Sequence, residues 1–211
     1  MSHLIDLTLD VETGMPTCGT PWHQTVEIRS LGKLAEVGRN TSSILLGSHS
    51  GTHMDAPKHF IDNGKGIETL SLDLLCGPVT MVDLRNKQAG DVVTLDDVRE
   101  LNITERMLFI FGWYKHFKTD RYYKDFPYFS GEAVDWLMEK GMRLMAMDTP
   151  SPDTGSAIYD TDAQEADSPN HKKMLAKEII IVEYLCNTDM IDLSRQYELI
   201  ALPLKLKGSD G

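Results

Sequence analysis

The sequence predicts a mixed α+β (α/β) fold in a single domain covering residues 1–211. Runs with the composition of strands outnumber the helical patterns and follow one another along the chain, whereas a doubly wound sheet alternates strands and helices regularly. No linker, internal repeat or low-complexity tract divides the chain. A chain of this length can bury a sizeable core, so we expect one core.

The predicted strands are runs rich in β-branched and other apolar residues, bounded by turn-forming residues. In chain order they cover residues 4–9, 25–29, 43–46, 79–84, 107–111, 143–147, 179–185 and 198–206. The apolar run 179–182 is among the longest, and it is far shorter than the ~20 residues of a membrane span. We therefore expect no membrane-spanning segment.

Three helices are predicted from capping signals. One has Ser130 as N-cap, carries Glu132 in its first turn, where the helix dipole favours an acid, and ends at Gly141. A shorter helix follows Thr94. A third begins at Ser168, with a proline as its first helical residue, and ends before the strand at 179.

Charge and cysteine content limit the binding partners and the cellular compartment that we expect for this protein. The formal net charge of −11 would repel phosphate backbones, so nucleic acid is a poor partner. The acidic N-terminus does not resemble a signal peptide, and three widely spaced cysteines without a C-x-x-C pair suit a reducing compartment. We expect a cytoplasmic protein in which Cys76 and Cys186 are core residues.

Residues 109–129 hold ten of the sixteen aromatic residues, interleaved with basic ones. Such a pattern resembles a base-stacking platform for nucleic acid. Dense aromatic residues also form pocket walls and subunit interfaces, and these uses do not require a positively charged protein. We favour a pocket or a homo-oligomer contact, with a homodimer as the simplest state. Trp113 is the candidate substrate-binding residue in this segment, and His116 is a further residue that could face the pocket.

Residues 49–59 contain the candidate ligands His49, His53, Asp55 and His59, all separated by even numbers of residues. A straight strand would put them on one face but would spread the first two histidines by about 13 Å, too far for one cation. The chain must therefore bend, and Gly51 and Pro57 favour turns at two points. Imidazole nitrogen and carboxylate oxygen are ligands for zinc, manganese and iron, so we predict a metal site.

The segment His-Ser-Gly-Thr-His-Met-Asp-Ala-Pro-Lys-His resembles the signature of the cyclase family of metal-dependent hydrolases, which contains bacterial-type kynurenine formamidases and isatin hydrolases. Similarity extends through Ile5-Asp6-Leu7-Thr8, Phe111-Gly112-Trp113 and Met147-Asp148-Thr149-Pro150-Ser151. The resemblance implies a swivelling β/β/α fold, and it places the loop of Cys18 near the active site. Cys18 is therefore a second candidate substrate-binding residue.

His171 and Glu183 form a candidate second half-site. A Glu in the apolar run 179–185 either points to solvent from an edge strand or is buried and compensated by a cation, and the spacing alone leaves both alternatives open. The resemblance favours coordination. It implies that His49, His53 and Asp55 hold one metal, that Asp55, His171 and Glu183 hold another, and that His59 transfers protons.

These features predict a hydrolase that uses water activated by one or two divalent cations, most simply Zn²⁺, with Mn²⁺ as the alternative. The resemblance implies amide cleavage, first of all conversion of N-formyl-kynurenine to kynurenine and formate by an arylformamidase of tryptophan catabolism. The alternatives are hydrolysis of a cyclic amide or lactone, as by isatin hydrolase, and a non-catalytic protein stabilised by its metal. Structural zinc usually has four protein ligands, so the spare His59 favours catalysis.

Overall fold

A central sheet organises the chain, for which the computed structural model describes residues 4–155 and 167–211. The strands of the described residues are β1 (Glu27–Gly32), β2 (Thr41–Leu45), β3 (His53–Asp55), β4 (Cys76–Asp83), β5 (Val92–Val93), β6 (Arg106–Ile110), β7 (Tyr128–Phe129), β8 (Leu144–Met147), β9 (Ile180–Glu183) and β10 (Tyr197–Ile200). The sheet has six strands in the order β10-β4-β6-β8-β9-β3. The other described strands form two small two-stranded sheets, β1-β2 and β5-β7.

The sheet combines a parallel centre with antiparallel edges. Strands β4, β6, β8 and β9 run parallel, whereas β10 and β3 pair antiparallel with β4 and β9 at the two edges. Every residue of β6, β8 and β9 is buried, which explains why their sequences are continuous apolar runs rather than alternating ones. The predicted mixed α/β class is confirmed. The order of strands and helices along the sequence did not predict that the four central strands run parallel.

The α-helices of the described residues are α1 (Leu34–Val37), α2 (Leu72–Leu75), α3 (Leu95–Val98), α4 (Gly131–Glu139) and α5 (Pro169–Leu175). Short 3₁₀ turns cover Pro57–His59, Ile67–Thr69, Trp113–His116 and Thr188–Met190. The three predicted helices are confirmed. Ser130 Oγ accepts a hydrogen bond from Ala133 N at 3.2 Å, and Thr94 forms a capping box with Asp97.

Two predicted strands differ from the structure. Residues 4–9 form no strand, and hydrogen bonds such as Cys186 N to Leu7 O at 2.9 Å tie them to the body instead of a continuous ladder. The last strand ends at Ile200, before Pro203, which has no N–H to donate to a ladder. The sequence prediction also omitted three strands of only two or three residues, β3, β5 and β7.

The aromatic segment 109–129 belongs mainly to the core. Seven of its aromatic side chains are buried: Phe109, Phe111, Trp113, Tyr122, Tyr123, Phe126 and Phe129. They pack together in one core cluster, because the segment contains most of the central strand β6 and the residues that follow it along one face of the sheet. The segment is therefore not an exposed aromatic patch. No helix among the described residues is long and apolar enough to cross a membrane.

Candidate metal centre

The predicted bends between His49 and His59 are present. Gly51 has a φ of +64°, in the left-handed region that glycine enters at little cost, and the chain bends there just before β3. The Nδ1–H of His53 donates to Gly51 O at 2.8 Å, which fixes the ring and turns Nε2 into the site. Pro57 begins the 3₁₀ turn that ends at His59, so the turn returns this histidine toward His49.

Pairing of β3 with β9 joins the two halves of the site. His53 is directly opposite Glu183 in this antiparallel pair, and residues in such register carry their side chains on the same face. His53 Nε2 lies 3.3 Å from Glu183 Oε1 and 3.4 Å from Asp55 Oδ1. Glu183 is 6% exposed, so the alternative that it points to solvent from an edge strand is wrong.

Asp55 is the central group of the cluster and has no exposed surface. Its Oδ1 lies 2.9 Å from His49 Nδ1, and its Oδ2 lies 3.2 Å from His171 Nε2. His171 Nε2 also lies 3.6 Å from Glu183 Oε2. The structure thus brings together all five side chains for which the sequence predicted metal coordination, with Asp55 between the two proposed sets.

Asp153 holds His171 in place, a role that the sequence analysis missed. Asp153 Oδ2 accepts hydrogen bonds from His171 Nδ1 at 2.7 Å and from His171 N at 3.0 Å, and Oδ1 accepts from Asn170 N at 2.8 Å. A carboxylate that binds the outer nitrogen fixes the ring and the tautomer of a metal-ligating histidine. Its position just after Thr149-Pro150-Ser151 was the available signal.

The donor set fits a divalent cation. Four buried side-chain atoms face one another, and none of their close contacts has the geometry of a hydrogen bond: His53 Nε2, both carboxylate oxygens of Asp55, and Glu183 Oε2. Buried polar groups are normally satisfied, so a convergent set of orphaned nitrogen and oxygen atoms indicates a bound group. One candidate set is His53, Asp55 and Glu183, and another is His49, Asp55 and His59, each with ligand atoms within 4.8 Å of one another.

The electrostatics of the cluster agree with this interpretation. Burial alone would lower the pKa of His53, but Asp55 and Glu183 raise it to about 10. The pKa of His171 is also raised, because the neighbouring carboxylates outweigh its burial. The three histidines around Asp55 hold the pKa of that carboxyl well below its usual range despite burial. Positive charge is strongly favoured here, and a cation supplies it when the imidazoles are neutral.

His59 differs from the other histidines of the cluster. Its side chain is 25% exposed, against 6% for His53 and 7% for His171. Its ring is tilted by 30° from that of His49, with 3.8 Å between ring centroids. His59 therefore borders both the buried cluster and solvent, and the proton-transfer role that the resemblance implies for it stays a prediction.

A cavity of about 320 Å³ opens onto the cluster. Cys18 and His23 lie on its wall, with Cys18 Sγ 2.8 Å from His23 Nδ1. His23 is thus a cavity residue outside the set of candidate site residues predicted from the sequence. Trp113 is not among the residues that line the cavity, because its indole is in the core and donates to Tyr122 O at 3.0 Å. His116 packs against Trp113 and is likewise absent from the wall.

The Cyclase family model matches residues 5–154. The chain is 32% identical over 180 residues to a kynurenine formamidase of Erythrobacter litoralis (strain HTCC2594), covering 85% of this chain and 74% of that protein. An isatin hydrolase bound to the product analogue thioisatinate superposes with a TM-score of 0.84 at 22% identity, covering 98% of this chain and 87% of that one. A structure described as a predicted metal-dependent hydrolase from Bacillus stearothermophilus has a TM-score of 0.75 at 28% identity, covering 98% and 92%.

Proposed function

The chain belongs to the Cyclase family and is a metal-dependent hydrolase of amide bonds, and from this premise we propose that it is an arylformamidase. Its substrate is N-formyl-kynurenine, and its products are kynurenine and formate. The sequence similarity to kynurenine formamidases supports this choice over isatin, since likeness to the isatin hydrolase structures at about 20% identity concerns the fold alone.

The observation that carries the proposal is the convergence of imidazoles and carboxylates on Asp55. His49, His53 and Asp55 would hold one cation, and Asp55, His171 and Glu183 would hold a second, so that Asp55 would belong to both ligand sets. A divalent cation at such a site activates water as a nucleophile and polarises a carbonyl. Both Zn²⁺ and Mn²⁺ accept nitrogen and oxygen ligands, and we propose Zn²⁺, bound at one or two positions per chain.

The protein's own groups account for proton transfer and positioning. Hydrolysis adds a water oxygen to the formyl carbon and breaks the C–N bond, and the departing aromatic nitrogen must gain a proton. His59 lies beside the cluster and borders solvent, so it is the group that delivers this proton. Asp153 orients His171, which keeps one ligand of the bridging set in place.

Substrate contacts come from the cavity wall beside the cluster. Its volume of about 320 Å³ is at the lower end of the range for small-molecule sites. Cys18 lies on this wall together with Phe60, and we propose that both contact the substrate. The buried position of Trp113 supports a role in packing of the core rather than contact with substrate.

The substrate proposal predicts measurable release of formate from N-formyl-kynurenine. Purified protein is assayed with N-formyl-kynurenine, isatin and a simple aryl ester under one set of conditions, and the highest kcat/KM is expected for the formamide. An Asp55→Ala preparation made in parallel measures contaminating activity. A kcat/KM for isatin far above that for N-formyl-kynurenine would select a cyclic-amide hydrolase and contradict the arylformamidase assignment.

A homodimer is part of the proposal, and the hairpin β1-β2 supports it. Strand β2 is exposed along its whole length, and apolar side chains lie uncovered on this hairpin and the helix α1 between its strands: Ile28, Leu31, Leu34, Val37, Ile44 and Leu45. Contiguous exposed apolar surface of this kind marks interaction sites. Sedimentation equilibrium at micromolar concentration is expected to give a dimer that Ile44→Glu weakens. A monomeric wild-type protein would contradict this expectation.

A cytoplasmic location completes the proposal. Cys18, Cys76 and Cys186 are all unpaired thiols, and Cys18 and Cys186 are buried. Free thiols persist in reducing compartments, whereas oxidising compartments favour disulfides. This observation supports the cytoplasm as the compartment, and the small-molecule substrate requires neither nucleic acid nor a membrane.

A further inference from the structure

The segment 208–211 is distant in sequence from the histidines of residues 49–59 but packs against the candidate metal centre. Ala56 N donates to Asp210 O at 2.9 Å, and Ile67 N donates to Ser209 O at 3.0 Å. A Cβ on Gly211 would lie 2.9 Å from His49 Cε1 and 3.0 Å from Met54 O. Since no side chain fits at Gly211, the segment packs closely against the ligand strand and the first histidine.

This segment places the carboxylate of Asp210 against two histidines of the site. Asp210 Oδ2 lies 3.1 Å from His49 Nε2 and 3.4 Å from His59 Nδ1, and Oδ1 accepts a hydrogen bond from Ser48 Oγ at 2.8 Å. Ser48 therefore fixes the position of the Asp210 carboxylate. Oδ2 of this carboxylate faces one ring nitrogen of each histidine.

We propose that Asp210 is a positioning residue that orients His49 and His59 and sets the tautomer of each ring. For His59, a hydrogen bond from Nδ1–H to Asp210 leaves the lone pair on Nε2, the nitrogen then available for proton transfer. For His49, Asp210 holds Nε2 while Nδ1 faces Asp55, which is the arrangement of an outer carboxylate behind a metal ligand. The catalytic part of this inference rests on the proposed function.

Asp210 is assigned to positioning rather than coordination because of where it lies. It contacts His49 on the ring nitrogen opposite the one that faces Asp55. Neither candidate ligand set of the described residues includes it. Its side chain also remains 38% exposed, whereas that of Asp55 is 1% exposed.

The test compares Asp210→Asn with Asp120→Asn, a matched change at an exposed aspartate outside the site. The measurements are kcat and KM for N-formyl-kynurenine, metal content by elemental analysis, and the tautomer of His59 by long-range ¹H–¹⁵N NMR at mildly alkaline pH. We expect kcat to fall about 10–100-fold for Asp210→Asn, as is typical for an outer partner. With metal supplied in excess, KM and metal content should remain near wild type, and the His59 proton should no longer be confined to Nδ1.

Several results would overturn the inference. One is a kcat and a His59 tautomer for Asp210→Asn that match those of Asp120→Asn. Another is failure of Asp210→Asn to bind metal even when the metal is supplied in large excess, a loss greater than the about 10–100-fold typical of an outer partner, which would make Asp210 a ligand. If the wild-type protein does not hydrolyse N-formyl-kynurenine, the proposed function fails, and the NMR comparison still decides the positioning role. Asp210→Glu, which keeps the carboxylate, should recover part of kcat and the Nδ1 tautomer, and failure of both would contradict the proposal.

Discussion

Asp55→Ala is expected to lose bound metal and hydrolytic activity together. The two Asp55 oxygens reach His49, His53 and His171, so the change removes the group shared by both proposed ligand sets. Loss of an outer partner typically costs about 10–100-fold, and we expect loss of this shared ligand to reduce kcat/KM by more than about 10³-fold. Elemental analysis and formate release on the same preparation measure the two effects.

Asp55→Asn is the second variant, because Asp55→Ala also leaves a buried space. The amide has nearly the shape of the carboxylate but no negative charge, so it should fold and still lose most of the metal. Asp120→Ala, at an exposed aspartate, is the control and should behave as wild type. Metal content and activity near wild type in both Asp55 variants, with normal circular dichroism, would contradict the central role of Asp55.

His59→Ala is expected to separate catalysis from metal binding. If His59 delivers a proton, its removal should lower kcat by about 10²–10⁴-fold, the usual contribution of a general acid or base. Most of the metal should remain, because His49, His53, Asp55, His171 and Glu183 stay in place. The measurements are again elemental analysis and steady-state kinetics on one preparation.

The structure makes this experiment decisive in both directions. His59, His49 and Asp55 form a group whose ligand atoms lie within 4.8 Å of one another. A largely metal-free His59→Ala protein would show that His59 is a ligand. An unchanged kcat with full metal content would remove it from proton transfer as well.

The sequence predicted the part of the site that depends on local spacing. His49, His53, Asp55 and His59 lie within eleven residues, and the turns at Gly51 and Pro57 can be inferred from residue types alone. The strand β3 could not be inferred in this way. Three residues are too few to show the alternation typical of a strand, and β3 forms by pairing with β9. The prediction that His171 and Glu183 belong to the site rested on the family resemblance.

The missed residues act through contacts that only the tertiary fold creates. Asp210 reaches His49 across 161 positions, and no local pattern marks such a pair. Asp153 lies 18 positions from His171, and its role depends on how α5 packs beside the site. The sequence favoured a pocket wall or a subunit contact for the aromatic segment 109–129, whereas most of its aromatic side chains lie in the core. A high density of aromatic residues does not distinguish a buried central strand from an exposed interface.

Removal and return of the metal tests the central claim most directly. Wild-type protein is stripped with a chelator, assayed on N-formyl-kynurenine, and assayed again after stepwise addition of Zn²⁺ or Mn²⁺, with bound metal measured at each step. We predict that the stripped protein is inactive and that activity returns in proportion to bound metal for the wild type but not for Asp55→Ala. Full hydrolytic activity in metal-free protein would contradict the account.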